Sequence, residues 1–206
     1  MALAPAVMLT AIVAHPFIAR LPDAQAVGAA VEAGTTSWGI VHLLTAVGST
    51  LVALAFLAIR GYLRDAGEER SSAWALPFVI VGSAFYGLLP ALEFAPMAAA
   101  LAGGDAEATQ AALQPWFVSI LATSALLFAI GVLGFARGIA AVRVLSRPLT
   151  RLVVTALVVW AAARFVPLGA VQFYVQALAG IVALWPLAFQ MWRRPEPAQV
   201  GAASAA

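Results

Sequence analysis

The chain has no cysteine, no lysine and few charged residues of either sign. Without cysteine it cannot form a disulfide framework, a thiolate metal site or a reactive thiol. Charged residues make up 10% of the chain, whereas a soluble domain normally carries about 25%. A soluble protein with 64% hydrophobic residues would have too few polar groups to cover its surface. The composition therefore predicts an integral membrane protein.

Six apolar segments are candidates for membrane-spanning helices, which need about 20 residues to cross a bilayer core of about 30 Å. They run from about Leu3 to Phe17, Trp38 to Ile59, Trp74 to Leu92, Trp116 to Ala136, Leu152 to Val166 and Leu168 to Trp192. The fifth is the weakest, because Arg151 and Arg164 interrupt its ends. We therefore expect an all-α polytopic bundle of six transmembrane helices over residues 1–194. Residues 195–206, which begin Pro-Glu-Pro, are expected to form a disordered tail.

The arginines divide the connecting segments into two sets. Nine of the eleven arginines lie in every second segment outside the spans, counting the C-terminal end. The remaining connecting segments hold only Arg20 and Arg164. Because arginine-rich flanks stay in the cytoplasm, both termini are expected to be cytoplasmic, in a bacterial inner membrane. Four tryptophans fall at predicted span ends, where aromatic belts form: Trp38, Trp74, Trp116 and Trp192. This topology accounts for the arginines, so we expect no nucleic-acid partner.

A second interpretation of the N-terminal segment is a cleaved signal peptide, because Ala24-Gln25-Ala26 follows an apolar run. No arginine or lysine precedes that run, and cleavage would leave five spans. We therefore favour a first membrane span.

Ionisable residues inside a bilayer are costly and become functional candidates by default. In the six-span topology His15, His42, Glu93 and Arg164 all lie toward the extracytoplasmic surface. Four uncharged polar residues at span ends can join them: Gln114, Gln172, Tyr174 and Gln176. Gln172 and Gln176 share a helix face, and Tyr174 points elsewhere. Pro90 is expected to kink the third span and open a cavity beside Glu93.

Three kinds of site are compatible with these residues. His15, His42 and Glu93 are ligands suited to a divalent transition metal such as zinc, iron or copper. Alternatively, His15 and His42 could hold a haem b between them. In the third interpretation Glu93 and Arg164 form a buried ion pair, or Arg164 binds an anionic head group. The alternative is that neither residue belongs to a binding site, in which case Arg164 extends to the membrane surface and Glu93 lies in water.

The layout resembles the small, alanine- and leucine-rich multi-pass proteins of high-GC bacteria. His15-Pro16, the Trp38–His42 pair and Trp192-Arg193-Arg194 carry this resemblance, which implies a topology and no activity. No P-loop, GxGxxG or GxSxG motif occurs. The first hypothesis is a protein that binds a metal, haem or small ligand beneath its extracytoplasmic surface. The second is a structural subunit in a homo- or hetero-oligomer, and the third is a membrane-embedded enzyme.

Overall fold

The computed structural model describes residues 1–193 and is all-helical, with 83% of those residues in helices and no strand among them. Arg194 and the predicted disordered tail lie outside the described residues. The eight α-helices are α1 (Leu3–Ala14), α2 (Ala24–Ala33), α3 (Thr35–Asp65), α4 (Arg70–Leu92), α5 (Phe94–Leu101), α6 (Ala106–Ala141), α7 (Arg147–Ala163) and α8 (Gln176–Trp192). A π-helical turn, Val171–Val175, leads directly into α8.

Four helical segments within residues 1–193 are long and apolar enough to cross a membrane. They are Thr35–Asp65, Arg70–Leu101, Ala106–Ala141 and Val171–Trp192. This supports the prediction of a membrane protein. The 12-residue α1 and the 17-residue α7 are shorter than a usual span, so the six-span count and the location of the termini stay predictions.

One hydrophobic core joins α1, α3, α4, α6, α7 and α8. Phe56, Phe128, Phe135 and Trp160 form its aromatic centre, where Phe56 contacts the other three rings. Helices α4 and α6 approach closely because glycine lies in their interface. A β-carbon at Gly131 would stand 2.7 Å from the backbone nitrogen of Val79. Small residues allow such close packing of helices in membrane proteins.

One end of the molecule is covered by residues 18–34, which we call the roof. The roof contains α2, a helix that begins where the Asp23 side chain accepts a hydrogen bond from the N–H of Ala26. Ile18, Val27 and Val31 of the roof pack with Trp38 in a second hydrophobic cluster. Two backbone hydrogen bonds tie the roof to the turn after α7, from Gly169 to Ala19 at 2.9 Å and from Leu21 to Pro167 at 3.2 Å.

One expectation from the sequence is wrong. Trp38 is 1% exposed and belongs to the interior, whereas Trp74, Trp116 and Trp192 are 58%, 67% and 84% exposed, as belt residues would be. Trp38 is interior because the roof covers the end of α3. Helix α3 continues six residues beyond Ile59 to Asp65, and α4 starts at Arg70.

Candidate functional site

A cavity of about 70 Å3 lies directly beneath the roof. Side chains from α1, α3, α4 and α6 and from the π-helical turn surround it, and the roof closes it with Ile18, Leu21 and Val27. Its polar lining includes His15, His42, Glu93 and Gln172. The cavity thus brings together four of the residues that the sequence singled out.

The two histidines form the centre of an aromatic cluster. Their ring centroids are 5.0 Å apart, and His15 lies 4.9 Å from Phe173 and 5.2 Å from Trp38. His42 lies 4.3 Å from the same tryptophan. The cluster forms because Trp38 and His42 occupy one face of α3, four residues apart, and His15 follows the end of α1.

Backbone contacts determine which nitrogen of each imidazole is free. Nδ1 of His15 lies 2.6 Å from the carbonyl oxygen of Pro16, and Nδ1 of His42 lies 2.7 Å from that of Trp38. A carbonyl oxygen only accepts hydrogen bonds, so both Nδ1 atoms carry the proton. In the neutral rings each Nε2 therefore has a lone pair available.

Glu93 is held at the boundary between α4 and α5 by two other side chains. The indole N–H of Trp38 donates to its backbone oxygen at 3.1 Å, and the Gln110 amide donates to Oε1 at 2.9 Å. Glu93 is 6% exposed. Its Oε2 has no hydrogen-bond partner within residues 1–193. Buried polar atoms are nearly always paired, so this oxygen is available to a ligand or water.

Arg164 lies behind the wall of the cavity and does not line it. Its guanidinium stands 3.6 Å over the Phe128 ring and 4.4 Å over the Tyr86 ring, and donates to the Ser124 hydroxyl at 3.1 Å. It is 3% exposed, so the interpretation of Arg164 as a surface residue is wrong. Within the described chain it forms no ion pair with Glu93, whose carboxylate contacts Gln110 instead.

Gln172 and Gln176 are structural in this arrangement. The Gln172 amide donates to the backbone oxygens of Arg164 and Val166 at 2.9 Å each, and its own oxygen accepts from Gln176 at 2.6 Å. These bonds fix the turn between α7 and the π-helical segment. Tyr174 is 40% exposed and stacks on Phe17, and Gln114 does not line the cavity.

The geometry gives no support to metal or haem binding. Among residues 1–193 no group of three or more histidine or acidic side chains is placed to hold a metal ion, so His15, His42 and Glu93 share a cavity without forming a common ligand set. Haem would need to lie between two rings that already contact each other. A cavity of about 70 Å3 is also smaller than the roughly 150 Å3 that admits benzene.

Three important residues were missed by the sequence reasoning. Gln110 lies before the expected start of its span at Trp116, because α6 extends ten residues beyond that tryptophan to Ala106. The place of Trp38 at a predicted span end indicates a belt residue rather than an interior one. Phe173 gave no signal, since the unusual π-helical turn determines its direction. Gln110 was detectable in principle, because it precedes Gln114 by four residues on one helix face.

No family model, curated protein or solved structure matches the chain. The site therefore has to be interpreted from its own geometry.

Proposed function

We propose that the chain is a multi-pass protein of a bacterial cytoplasmic membrane that binds a small ligand in the cavity beneath its roof, in a sensing or binding role. One observation carries the proposal. Two histidines with their Nδ1 atoms fixed, and a buried carboxylate with one free oxygen, line a single cavity. Unpaired buried polar atoms are unfavourable, and a bound partner would compensate for them.

The proposed topology has six spans, both termini in the cytoplasm and the roof outside. It is supported by the shared core, to which all six apolar helices contribute. At about 1.5 Å per residue, His42 is about 27 Å along α3 from Arg60. This separation would place Arg60 at the cytoplasmic boundary and His42 near the other boundary of a core about 30 Å thick.

A binding screen tests the function. The purified full chain in detergent micelles is heated with small metal ions, amines, carboxylates and alcohols, and its unfolding temperature is compared with that of the His15→Phe/His42→Phe variant. We expect at least one compound class to raise the unfolding temperature of the wild type only, because phenyl rings keep the aromatic packing and remove both Nε2 acceptors. Gln114→Leu, a polar residue outside the cavity, is the control and should respond as the wild type does. Equal responses in all three proteins would refute ligand binding and favour a structural subunit.

Single-cysteine labelling tests the topology, and the cysteine-free chain needs no prior substitution. A membrane-impermeant maleimide should label Ala102→Cys in intact cells and Glu69→Cys only after lysis. Both positions are exposed. The reverse pattern would invert the proposed orientation without affecting the ligand proposal.

A further inference from the structure

The available polar atoms of the cavity are hydrogen-bond acceptors. They are Nε2 of His15, Nε2 of His42 and Oε2 of Glu93. Pro90 also lines the cavity, and its missing N–H leaves the carbonyl of Tyr86 without its helical donor. The residues around the cavity thus carry four hydrogen-bond acceptors.

Three side-chain donors around this space are already engaged. The Trp38 indole donates to the backbone of Glu93, the Gln172 amide donates to Arg164 and Val166, and the Thr45 hydroxyl donates to Val41. The hydroxyl of Tyr86 can either donate or accept. A ligand that carries only hydrogen-bond acceptors, such as a carboxylate, would therefore place its lone pairs against those of the imidazoles and of Glu93. This argues against the anionic head group considered from the sequence.

On this basis, and given the proposed function, we propose that the ligand is a compact N–H donor: ammonium or a primary alkylammonium ion with one or two carbons. Its N–H groups would donate to the imidazole nitrogens and the Glu93 carboxylate in charge-assisted hydrogen bonds. The cavity volume of about 70 Å3 is about half of the roughly 150 Å3 that admits benzene, so the site favours a compact ligand.

The surrounding charges and rings suit a cation. Trp38 and Phe173 present aromatic rings to the cavity, and aromatic faces attract cations. The guanidinium of Arg164 is a buried positive charge close to the cavity wall. It is separated from the cavity by the Tyr86 ring that it covers and is directed toward Phe128 and Ser124. Glu93, in contrast, is one of the residues that line the cavity.

An ammonium ion also sets a less strict requirement on the spacing of the acceptors than a transition metal does. A transition metal requires ligand atoms about 2.0–2.2 Å from one point, and no three acidic or histidine side chains in residues 1–193 meet that requirement. Hydrogen bonds from an ammonium group extend to about 2.7–2.9 Å, so the acceptors can stand further apart.

Calorimetric titration of the full chain in lipid nanodiscs tests the proposal. Ammonium, methylammonium and ethylammonium chlorides should bind saturably, whereas tetramethylammonium, potassium and sodium acetate should not. Tetramethylammonium has no N–H and exceeds the cavity, and potassium has the charge without a donor. Glu93→Gln should weaken methylammonium binding at least about tenfold, as expected for loss of a charge-assisted bond. Glu32→Gln removes an exposed carboxylate of α2 and should leave binding unchanged.

His15→Phe provides a second test if Glu93→Gln does not fold, because it keeps a ring beside Trp38 and Phe173 and removes one acceptor. It should also weaken methylammonium binding. Equal binding of potassium, or methylammonium binding unaffected by both variants, would overturn the ligand class. Histidine-dependent binding of zinc or acetate without ammonium binding would overturn this class and leave the proposed function intact. Binding of none of the probes, together with a negative melting screen, would refute both proposals.

Discussion

Replacing Gly169 by alanine tests whether the roof is fastened by backbone contact with the turn after α7. A β-carbon at this position would overlap the carbonyl oxygen of Ile18 and stand 2.9 Å from its carbonyl carbon, where ordinary carbon contacts are about 3.5–4.0 Å. All these neighbouring atoms are backbone, so no side-chain rotation can relieve the clash. The roof must therefore move away from the turn.

The size of the effect follows from what that movement breaks. The hydrogen bonds from Gly169 to Ala19 and from Leu21 to Pro167 are worth about 0.5–1.5 kcal/mol each. Ile18, which is 2% exposed, would lose part of the roughly 1.5–3 kcal/mol that full burial contributes. We expect Gly169→Ala to lower the free energy of unfolding by about 2–4 kcal/mol.

Unfolding in mixed dodecyl sulfate micelles, followed by far-ultraviolet circular dichroism, measures this difference. Gly61→Ala is the matched control, because a β-carbon there meets nothing within 4 Å and alanine favours a helix by up to about 1 kcal/mol. Hydrogen exchange of the Leu21 amide should also be faster in Gly169→Ala. If both variants unfold at the same denaturant concentration and the Leu21 amide stays protected, the assignment of the roof contact is refuted.

Three further substitutions test other parts of the molecule. Although burial alone raises the pKa of the Glu68 carboxyl, hydrogen bonds from the side chains and backbone N–H groups of Ser72 and Ser71 hold this pKa below its ordinary value. The stability that the Glu68 carboxylate contributes should be fully present above about pH 4.5 and be lost as the pH falls through the lowered pKa. This contribution should be absent from Glu68→Gln. Unfolding titrations of both proteins at several pH values measure the difference. Gly131→Ala should be about 1–3 kcal/mol less stable than Gly61→Ala, because its methyl group would meet the backbone of α4; equal unfolding curves would contradict this packing. Arg164→Met should unfold at the same or a higher temperature, since an apolar side chain can replace a buried charge that has no carboxylate partner; a drop of several degrees would show that the ring contacts of the guanidinium stabilise the fold.

The sequence predicted the helical class and the membrane character because both depend on composition and on long apolar runs. It also selected His15, His42 and Glu93, because ionisable residues are rare in such segments. It could not predict that Arg164 stacks on Phe128 rather than pairing with Glu93, since that depends on how α6 and α7 are rotated. Trp38 shows the same limit: a tryptophan at the end of an apolar run is equally typical of a lipid interface and of a covered interior.

The π-helical turn Val171–Val175 has a consequence for how this part of the chain can vary. A π turn contains one residue more than an α turn, and each residue rotates a helix by about 100°. Deletion of one residue from this turn would leave the lipid-facing and core-facing sides of α8 in place. The residues before the deletion would rotate about the helix axis by about 100°. Gln172 would then leave the carbonyls of Arg164 and Val166, and Phe173 would leave His15. The cavity therefore depends on the length of this segment as much as on the identity of its residues.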